Sequence, residues 1–393
     1  MSQAEKETIS VLRAAIGKKY VLTDQQSLEF YSMDVYRSFE IPIAVVQPGS
    51  VEELQEVVRV ATGLGMAIVA RGGGASYTDG YLPTTPKSIT IDTSRLNKIV
   101  EINEEDMFVT VESGVTWAEM AAALAEKNLR TPFWGPFSGL KATIGGSSSQ
   151  NSLSMGTSAY GGSPESILCY DIVLPSGEIL KTGSSSMENS SAFFRHYGPD
   201  LTGLFSGDSG ALGVKARITL RLIKLPTHTL TSSFGFKDYA SMSEGMAAAA
   251  REQSASSNWG LDPKLQQGQL GSTTLSDAIK AAFAVLKTAR NPFEAIIQLG
   301  KMALAGKRFL TGFDYSAHFV VEGYSIAEVK SKLAQTRRAV GPYGTEIANT
   351  IPTVLGAMPF MPLYPILGPQ GERWVPMHGF LSFSKMQFFH DRL

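Results

Sequence analysis

Arg71-Gly72-Gly73-Gly74-Ala75-Ser76-Tyr77, followed by Gly80, is the segment whose residue types most plainly imply chemistry. Glycine takes positive φ without steric cost, so successive backbone N–H groups can converge on one anion, and Arg71 and Ser76 offer further donors. The chemistry implied is phosphate binding. A Rossmann turn is the competing reading, but it needs a helix directly after the glycines, with its N-terminus on the pyrophosphate. Here Asp79-Gly80, Leu82-Pro83 and Pro86-Lys87 follow, then the strand-like Ile89-Thr90-Ile91-Asp92, so the loop joins strand to strand.

Two further stretches are dense in glycine: residues 142–162, from Ala142-Thr143-Ile144-Gly145-Gly146 to Tyr160-Gly161-Gly162, and Gly207-Asp208-Ser209-Gly210-Ala211-Leu212-Gly213. Each alone reads as a turn. All three in the first 226 residues are better explained by a long ligand that needs close backbone approach along its length. The Gly-Asp-Ser-Gly around Ser209 also occurs around nucleophilic serines, but its glycine-rich setting and the lack of an evident partnering site argue against a hydrolase.

The elements that must position these loops are legible around them. Ser50 caps a helix over residues 50–64, Glu53 completes a capping box, and Val51, Leu54, Val57, Val58, Ala61 and Leu64 form its apolar stripe. Gly65 ends it, and Met66–Ala70 is a buried strand feeding the first loop. A second unit repeats the pattern: Phe108–Val111 alternates as a strand, and Thr116 with Glu119 caps a helix lined by Trp117, Met120, Ala121 and Leu124. Regular periodicity stops between Pro132 and Gly162, a loop long enough to be functional. Ile172–Leu174, the turn Pro175-Ser176-Gly177 and Glu178–Leu180 read as a hairpin, and Val214–Leu222 as a half-buried strand. Pro226 marks a domain boundary, giving domains 1–226 and 227–393. Beyond it lie helices near 238–252 and 275–305, a strand over 315–322 and a helix opened by Ser325 with Glu328. The serine-rich 184–191 reads as a surface loop. The fold class expected is α+β.

Bulk properties narrow the function. The 393 residues are 43% apolar and 18% charged with a formal net charge of −1, which argues against a nucleic-acid partner and for an ordinary globular protein able to bury a large cofactor. A single cysteine, Cys169, excludes an intrachain disulfide and a cysteine-based metal cluster. His228, His318 and His390 do not recur at metal-ligand spacing, so no metal is expected. The N-terminus lacks the order of a signal peptide, and no apolar run is long enough to span a bilayer, so a soluble, cytoplasmic protein is expected.

The Ser50-Val51-Glu52-Glu53-Leu54 helix start, the Arg71-Gly72-Gly73-Gly74 loop, Thr143-Ile144-Gly145-Gly146 and Gly207–Gly213, in that order, resemble the vanillyl-alcohol oxidase type of FAD-linked oxidoreductases, which also includes D-lactate and glycolate dehydrogenases. The resemblance covers about the first 226 residues. It implies a PCMH-like FAD-binding domain of two subdomains. Carried over, Arg71, Gly72, Gly73, Gly74, Ala75 and Ser76 form the pyrophosphate loop, flanked by Tyr77. Thr143, Gly145 and Gly146 lie near the flavin and ribityl chain, Gly207, Asp208, Gly210 and Gly213 cover the cofactor from the other side, and Ile172 and Val173 pack near the adenine. Many relatives tether FAD through a histidine after the double glycine. This chain has Ala75 there, so noncovalent FAD is expected.

The second half is similar to the substrate-covering cap of the same family, an α+β, ferredoxin-like domain, through Gly260-Leu261-Asp262-Pro263, Ala357-Met358-Pro359-Phe360 and Gly371–Gly379. Family members are usually longer, and in them the chain returns after the cap to finish the flavin domain. This chain is expected to be a truncated product, a fragment, or a short member completed by another chain. The metal-linked histidine motif of many D-lactate dehydrogenase relatives is absent, which weighs against a 2-hydroxy acid. His378 is the first candidate base, because oxidation of a C–H beside oxygen or nitrogen needs an acceptor for the substrate proton while hydride leaves to flavin N5. A buried histidine satisfied by backbone is the competing reading. Arg373 has the planar fork for a carboxylate, and Tyr364 could orient a phenol or donate to an oxyanion, though an ordinary ion pair and ordinary core account for them equally. Met358, Phe360, Met361, Phe380 and Phe383 suit an apolar wall or plain packing.

The function expected is FAD-dependent oxidation of an alcohol, 2-hydroxy acid or phenolic substrate, with reoxidation by oxygen or an electron carrier and the pocket at the domain interface. The alternative is a noncatalytic FAD-binding subunit or fragment of a larger oxidase. Homo- or hetero-oligomers are both compatible with the sequence.

Overall fold

In the computed structural model the described residues are 3–34, 36–263, 312–357, 359–360 and 379–392. They fall into two compact units. One holds the residues up to Ser154 with Gly161–Leu225, and the other holds Met155–Tyr160 with the described residues from Pro226 on.

The first unit opens with helix α1 (Gln3–Ile16), strand β1 (Val21–Leu22), helix α2 (Gln25–Tyr31) and β2 (Ala44–Val46). Helix α3 (Val51–Gly63) forms where the periodicity predicts it. Ser50 accepts from the Glu53 N–H, while the Glu53 carboxylate reaches one residue further back than expected, to the Gly49 N–H at 2.7 Å. Its apolar face, Leu54, Val57, Val58 and Ala61, is buried with Leu12 of α1 and with Ala44, Val46, Ile89 and Ile91 of the sheet. That sheet runs β1-β2-β4-β3, with β3 (Ala67–Arg71) and β4 (Ser88–Asp92) side by side and parallel. Parallel neighbours cannot be joined by a tight hairpin, so the chain must travel back between them. Residues 72–87 make that return without a helix, which is why the glycine loop is long and open.

The second sheet runs β5 (Ile99–Asn103), β6 (Phe108–Glu112), β10 (Val214–Arg221), β8 (Ile167–Val173), β9 (Ile179–Lys181), antiparallel throughout. A short ribbon pairs β7 (Leu129–Arg130) with β11 (Ile223–Lys224). The β8–β9 hairpin turns at Gly177 (φ 85°), as its Pro-Ser-Gly predicts. Strand β10 departs from the half-buried reading. It lies between β6 and β8 with both faces largely covered, so that Lys215 and Thr219, which the alternation assigns to solvent, are each only 4% exposed.

Helix α4 (Trp117–Ala125) carries the full reciprocal capping box of Thr116 and Glu119. The stretch from Pro132 to Gly162 is not all loop. It contains helix α5 (Ile144–Ser149) and the single turn α6 (Thr157–Tyr160), the latter in the second unit. Gly145-Gly146-Ser147-Ser148-Ser149 has poor helix propensity, and tertiary contacts override it: Thr143 caps α5, and the Trp117 indole donates to Ser147 Oγ at 2.7 Å in the core. A further turn, α7 (Leu201–Leu204), precedes β10.

The second unit has the order β12 (His228–Phe236), α8 (Tyr239–Glu252), β13 (Ser257–Leu261), β14 (Tyr315–Gly323), α9 (Ile326–Val340), β15 (Thr345–Ile347). Its antiparallel sheet is ordered β13-β14-β12-β15, the ferredoxin-like arrangement. Phe234, Phe236, Ala317, Phe319 and Val321 on one sheet face pack with Met242 and Ala249 of α8 and with Val329 and Leu333 of α9. Ser233, Ser316 and His318 lie on the other face. His318 is wholly buried, with Ser233 Oγ 2.8 Å from Nδ1 and Ser316 Oγ 3.0 Å from Nε2. The helix expected over 275–305 lies outside the described residues.

Candidate cofactor site

Strand β3 delivers Arg71 to the start of the first loop, and the geometry there separates carbonyls from amides. The Arg71 carbonyl accepts from Thr93 Oγ1 at 3.3 Å, and the Tyr81 hydroxyl lies 2.9 Å from the carbonyls of both Gly74 and Ser76. The N–H groups of Gly72, Gly73, Gly74, Ala75 and Ser76 have no acceptor among the described residues. Five consecutive donors are left open while the carbonyls of Gly74 and Ser76 are held by Tyr81, an arrangement suited to cradling an anion. Gly74 sits at φ +63°, a conformation that inverts the backbone and strains any L side chain. Gly73 lies so close to the next segment that a Cβ there would overlap the Lys141 carbonyl oxygen.

Arg71 itself does not reach toward a ligand as the sequence reading expects. Its side chain is buried, and Nη1 donates to the carbonyls of Phe30, Tyr31 and Met33 at 3.4, 3.3 and 2.9 Å. The guanidinium stacks among the rings of Phe30, Tyr31 and Tyr81, each about 5 Å from its carbon. It lies directly behind Gly74, in the space a Cβ would take. Arg71 therefore supports the cradle and places a positive charge behind it. Ser76 Oγ bonds with Thr78 Oγ1 at 2.9 Å, and Tyr77 is half-buried, which raises the pKa of its phenol.

The second stretch meets the first directly. Thr143 Oγ1 occupies the space a Cβ on Gly72 would need, and Thr78 Oγ1 donates to the Gln150 side-chain oxygen at 3.2 Å. Thr143 also accepts from the Gly146 N–H at 3.1 Å, and the Gly145 N–H is bound to the Ser113 carbonyl at 2.9 Å. The amides of both glycines are thus spent internally. These residues serve close packing, not donation.

The third stretch docks on the end of α5. The Gly207 and Ser209 N–H groups donate to the carbonyls of Ser148 and Ser149, both at 2.8 Å, and Gly210 approaches Ala70 at the end of β3. Gly213 packs against Ile172. Asp208, expected to cover the cofactor, turns inward instead. Its Oδ1 accepts from the Gly210 N–H at 3.0 Å and from Lys215 Nζ at 2.6 Å, with both charged side chains 3% exposed.

The first and third glycine stretches and residues 143–150 of the second therefore come together in one unit, the second touching the first through Thr143 and Gln150 and the third resting on the end of α5 and on Ala70. Tyr81, Thr93, Ser148, Ser149 and Lys215, which hold them there, escape sequence reading; only the burial of a tyrosine near a glycine loop and the serine run after Gly146 hint at them. His378, Arg373, Tyr364, Met358 and Met361 lie outside the described residues, and Phe380 and Phe383 are exposed.

Residues 42–183 match the model of the FAD binding domain family. The chain is 30% identical to a mitochondrial D-lactate dehydrogenase [cytochrome] of Arabidopsis thaliana over 237 residues, 60% of this chain and 40% of that protein. It is 31% identical to a D-2-hydroxyglutarate dehydrogenase of Xanthomonas citri over 217 residues, 55% of this chain and 44% of the relative. The chain thus spans less than half the length of these relatives. Among solved structures, p-cresol methylhydroxylase with substrate bound superposes with a TM-score of 0.73 at 20% identity, covering 94% of this chain and 74% of that one. Residues 42–183 are thus an FAD-binding domain, its cofactor is FAD, and the fold is that of p-cresol methylhydroxylase.

The residues present fit that cofactor. An open row of amides backed by a buried guanidinium suits a diphosphate, and the cradle leaves no room for side chains that would compete with it.

Proposed function

We propose that the chain oxidises a C–H bond of an alcohol, 2-hydroxy acid or phenolic substrate by hydride transfer to its flavin. The observation that carries the reading is the row of open amides at Gly72–Ser76 within a matched FAD-binding domain. FAD supplies the two-electron acceptor. The chain's own contribution is to hold the diphosphate on that row and to take up the substrate proton. His378 is the proposed proton acceptor, Arg373 the proposed carboxylate clamp and Tyr364 the proposed donor to a phenol or oxyanion. Relatives named for D-lactate and D-2-hydroxyglutarate support the hydroxy-acid class, and a fold neighbour named for p-cresol supports the phenolic class. Oxygen or an electron carrier would reoxidise the flavin. With Ala75 where a tether would attach, FAD is held without a covalent bond at that position.

Anaerobic mixing with a panel of 2-hydroxy acids and para-alkylphenols tests the proposal. At least one member of the panel should bleach the blue absorbance band of the oxidised flavin. A protein that holds FAD yet is bleached by none of them, and only after a partner protein is added, would be a binding subunit.

A further inference from the structure

We infer that Lys215 is a positioning residue for the cofactor, acting through a buried ion pair with Asp208 that locks the Gly207–Gly213 loop in its docked form. The inference rests on FAD as the cofactor, and it deepens that reading by assigning the element that holds one of its three loops.

The loop is costly to form. Gly207, Ser209 and Gly210 all have positive φ, at 67°, 53° and 75°, and Ser209 has a Cβ to strain. Something outside the loop must hold it. Two backbone bonds to α5 hold one side, and Asp208 holds the other by accepting from the Gly210 N–H in an Asx turn. Asp208 is anchored in turn by Lys215 Nζ at 2.6 Å, in an environment from which water is excluded.

Lys215 reaches this place because of an irregularity in its strand. The strict alternation of Val214–Arg221 puts Lys215 on the same face as Arg217. The pairing of β10 with β8 slips between those two residues, Lys215 opposing Ile172 and Arg217 opposing Asp171. A bulge of this kind re-aims a side chain. Lys215 turns to the face bearing Tyr170, with its ammonium 5.5 Å from the ring, while Arg217 faces Asp171 at 3.8 Å. Tyr170 Oη bonds Ser206 Oγ at 3.1 Å, just before the loop begins. Burial lowers the pKa of the Lys215 ammonium, and Asp208 opposes that shift. Neither charge is tolerable there without the other. The Asp208 Oδ2 atom is buried and has no hydrogen-bond partner among the described residues, so Lys215 is the charge that compensates this carboxylate. Since the carboxylate is covered, it acts on the cofactor only through the loop backbone.

Three proteins decide the matter: wild type, K215M, and D208N/K215M, which removes both charges and keeps an oxygen for the Gly210 N–H. In the FAD-free proteins, amide hydrogen exchange at Gly207, Ser209 and Gly210 should accelerate at least about tenfold in both variants, while the amides of β6 and β10 keep their protection. FAD affinity, read by quenching of flavin fluorescence, should fall at least about tenfold in both. The double variant should regain the wild-type melting temperature without regaining the affinity. Loop exchange within about twofold of wild type, or an affinity restored in the double variant, overturns the inference. If K215M does not fold, the double variant carries the test. A wild-type protein that binds no FAD would refute the cofactor reading instead, and loop exchange would still decide the role of Lys215.

Discussion

At the scale of single residues, the cradle works by division of labour between backbone and side chains. Tyr81 holds the carbonyls of Gly74 and Ser76 and Thr93 that of Arg71, while the amides of Gly72–Ser76 have no acceptor among the described residues. Two substitutions test this from different sides. Gly73→Ala would drive a methyl group into the Lys141 carbonyl, and since both partners are backbone or fixed to it, the loop must shift. FAD affinity should drop at least about tenfold, checked by titration of the FAD-free protein. Arg71→Met removes three carbonyl contacts and a buried charge, and should cost about 2–4 kcal/mol in denaturant unfolding besides weakening FAD. A stability unchanged by Arg71→Met would mean that the guanidinium is no support. The glycines were readable in the sequence because they carry a backbone requirement in their type. The direction of Arg71 was not, since it depends on carbonyls some forty residues earlier in the chain.

Among the elements, those with strong periodicity and caps were readable: α3, α4 and α9 begin at the serine or threonine that caps them. Helix α5 was hidden because its glycines and serines carry no helix signal, and it is held by tertiary contacts, among them the Thr143 cap, the Trp117–Ser147 bond and the bonds from Gly207 and Ser209. The bulge in β10 was hidden for a related reason: alternation reports one residue's neighbours along the chain, not a slip against β8. The sheet of the second unit yields a prediction of its own. Burial pushes the His318 pKa from 6.5 down to about 3. The unfolded chain therefore binds a proton between those values that the folded sheet does not, so stability is full above pH 6.5 and declines as the pH falls toward 3. Between pH 7 and 5 this single group should remove about 2 kcal/mol from the unit holding β12–β15. Thermal melts of wild type and His318→Asn across that range check it. The variant should lose that part of the acid sensitivity, and identical pH profiles would contradict the assignment.

For the whole molecule, FAD binding was legible from the order of separate motifs, because a dinucleotide demands several backbone approaches far apart in sequence, while the α+β class came from the helix and strand patterns and the ferredoxin-like second sheet only from the resemblance to the cap. Substrate identity is not written in that order, since it depends on side chains that line a pocket. The absence of a linking side chain at Ala75 predicts that acid precipitation releases the flavin into the supernatant, and yellow pellets would contradict it. The account stands or falls on where the diphosphate goes, and a crystal structure of the protein with FAD answers this directly. The diphosphate oxygens should lie within about 3 Å of the amide nitrogens of Gly72–Ser76. A diphosphate bound elsewhere, with those five amides facing solvent, would contradict it.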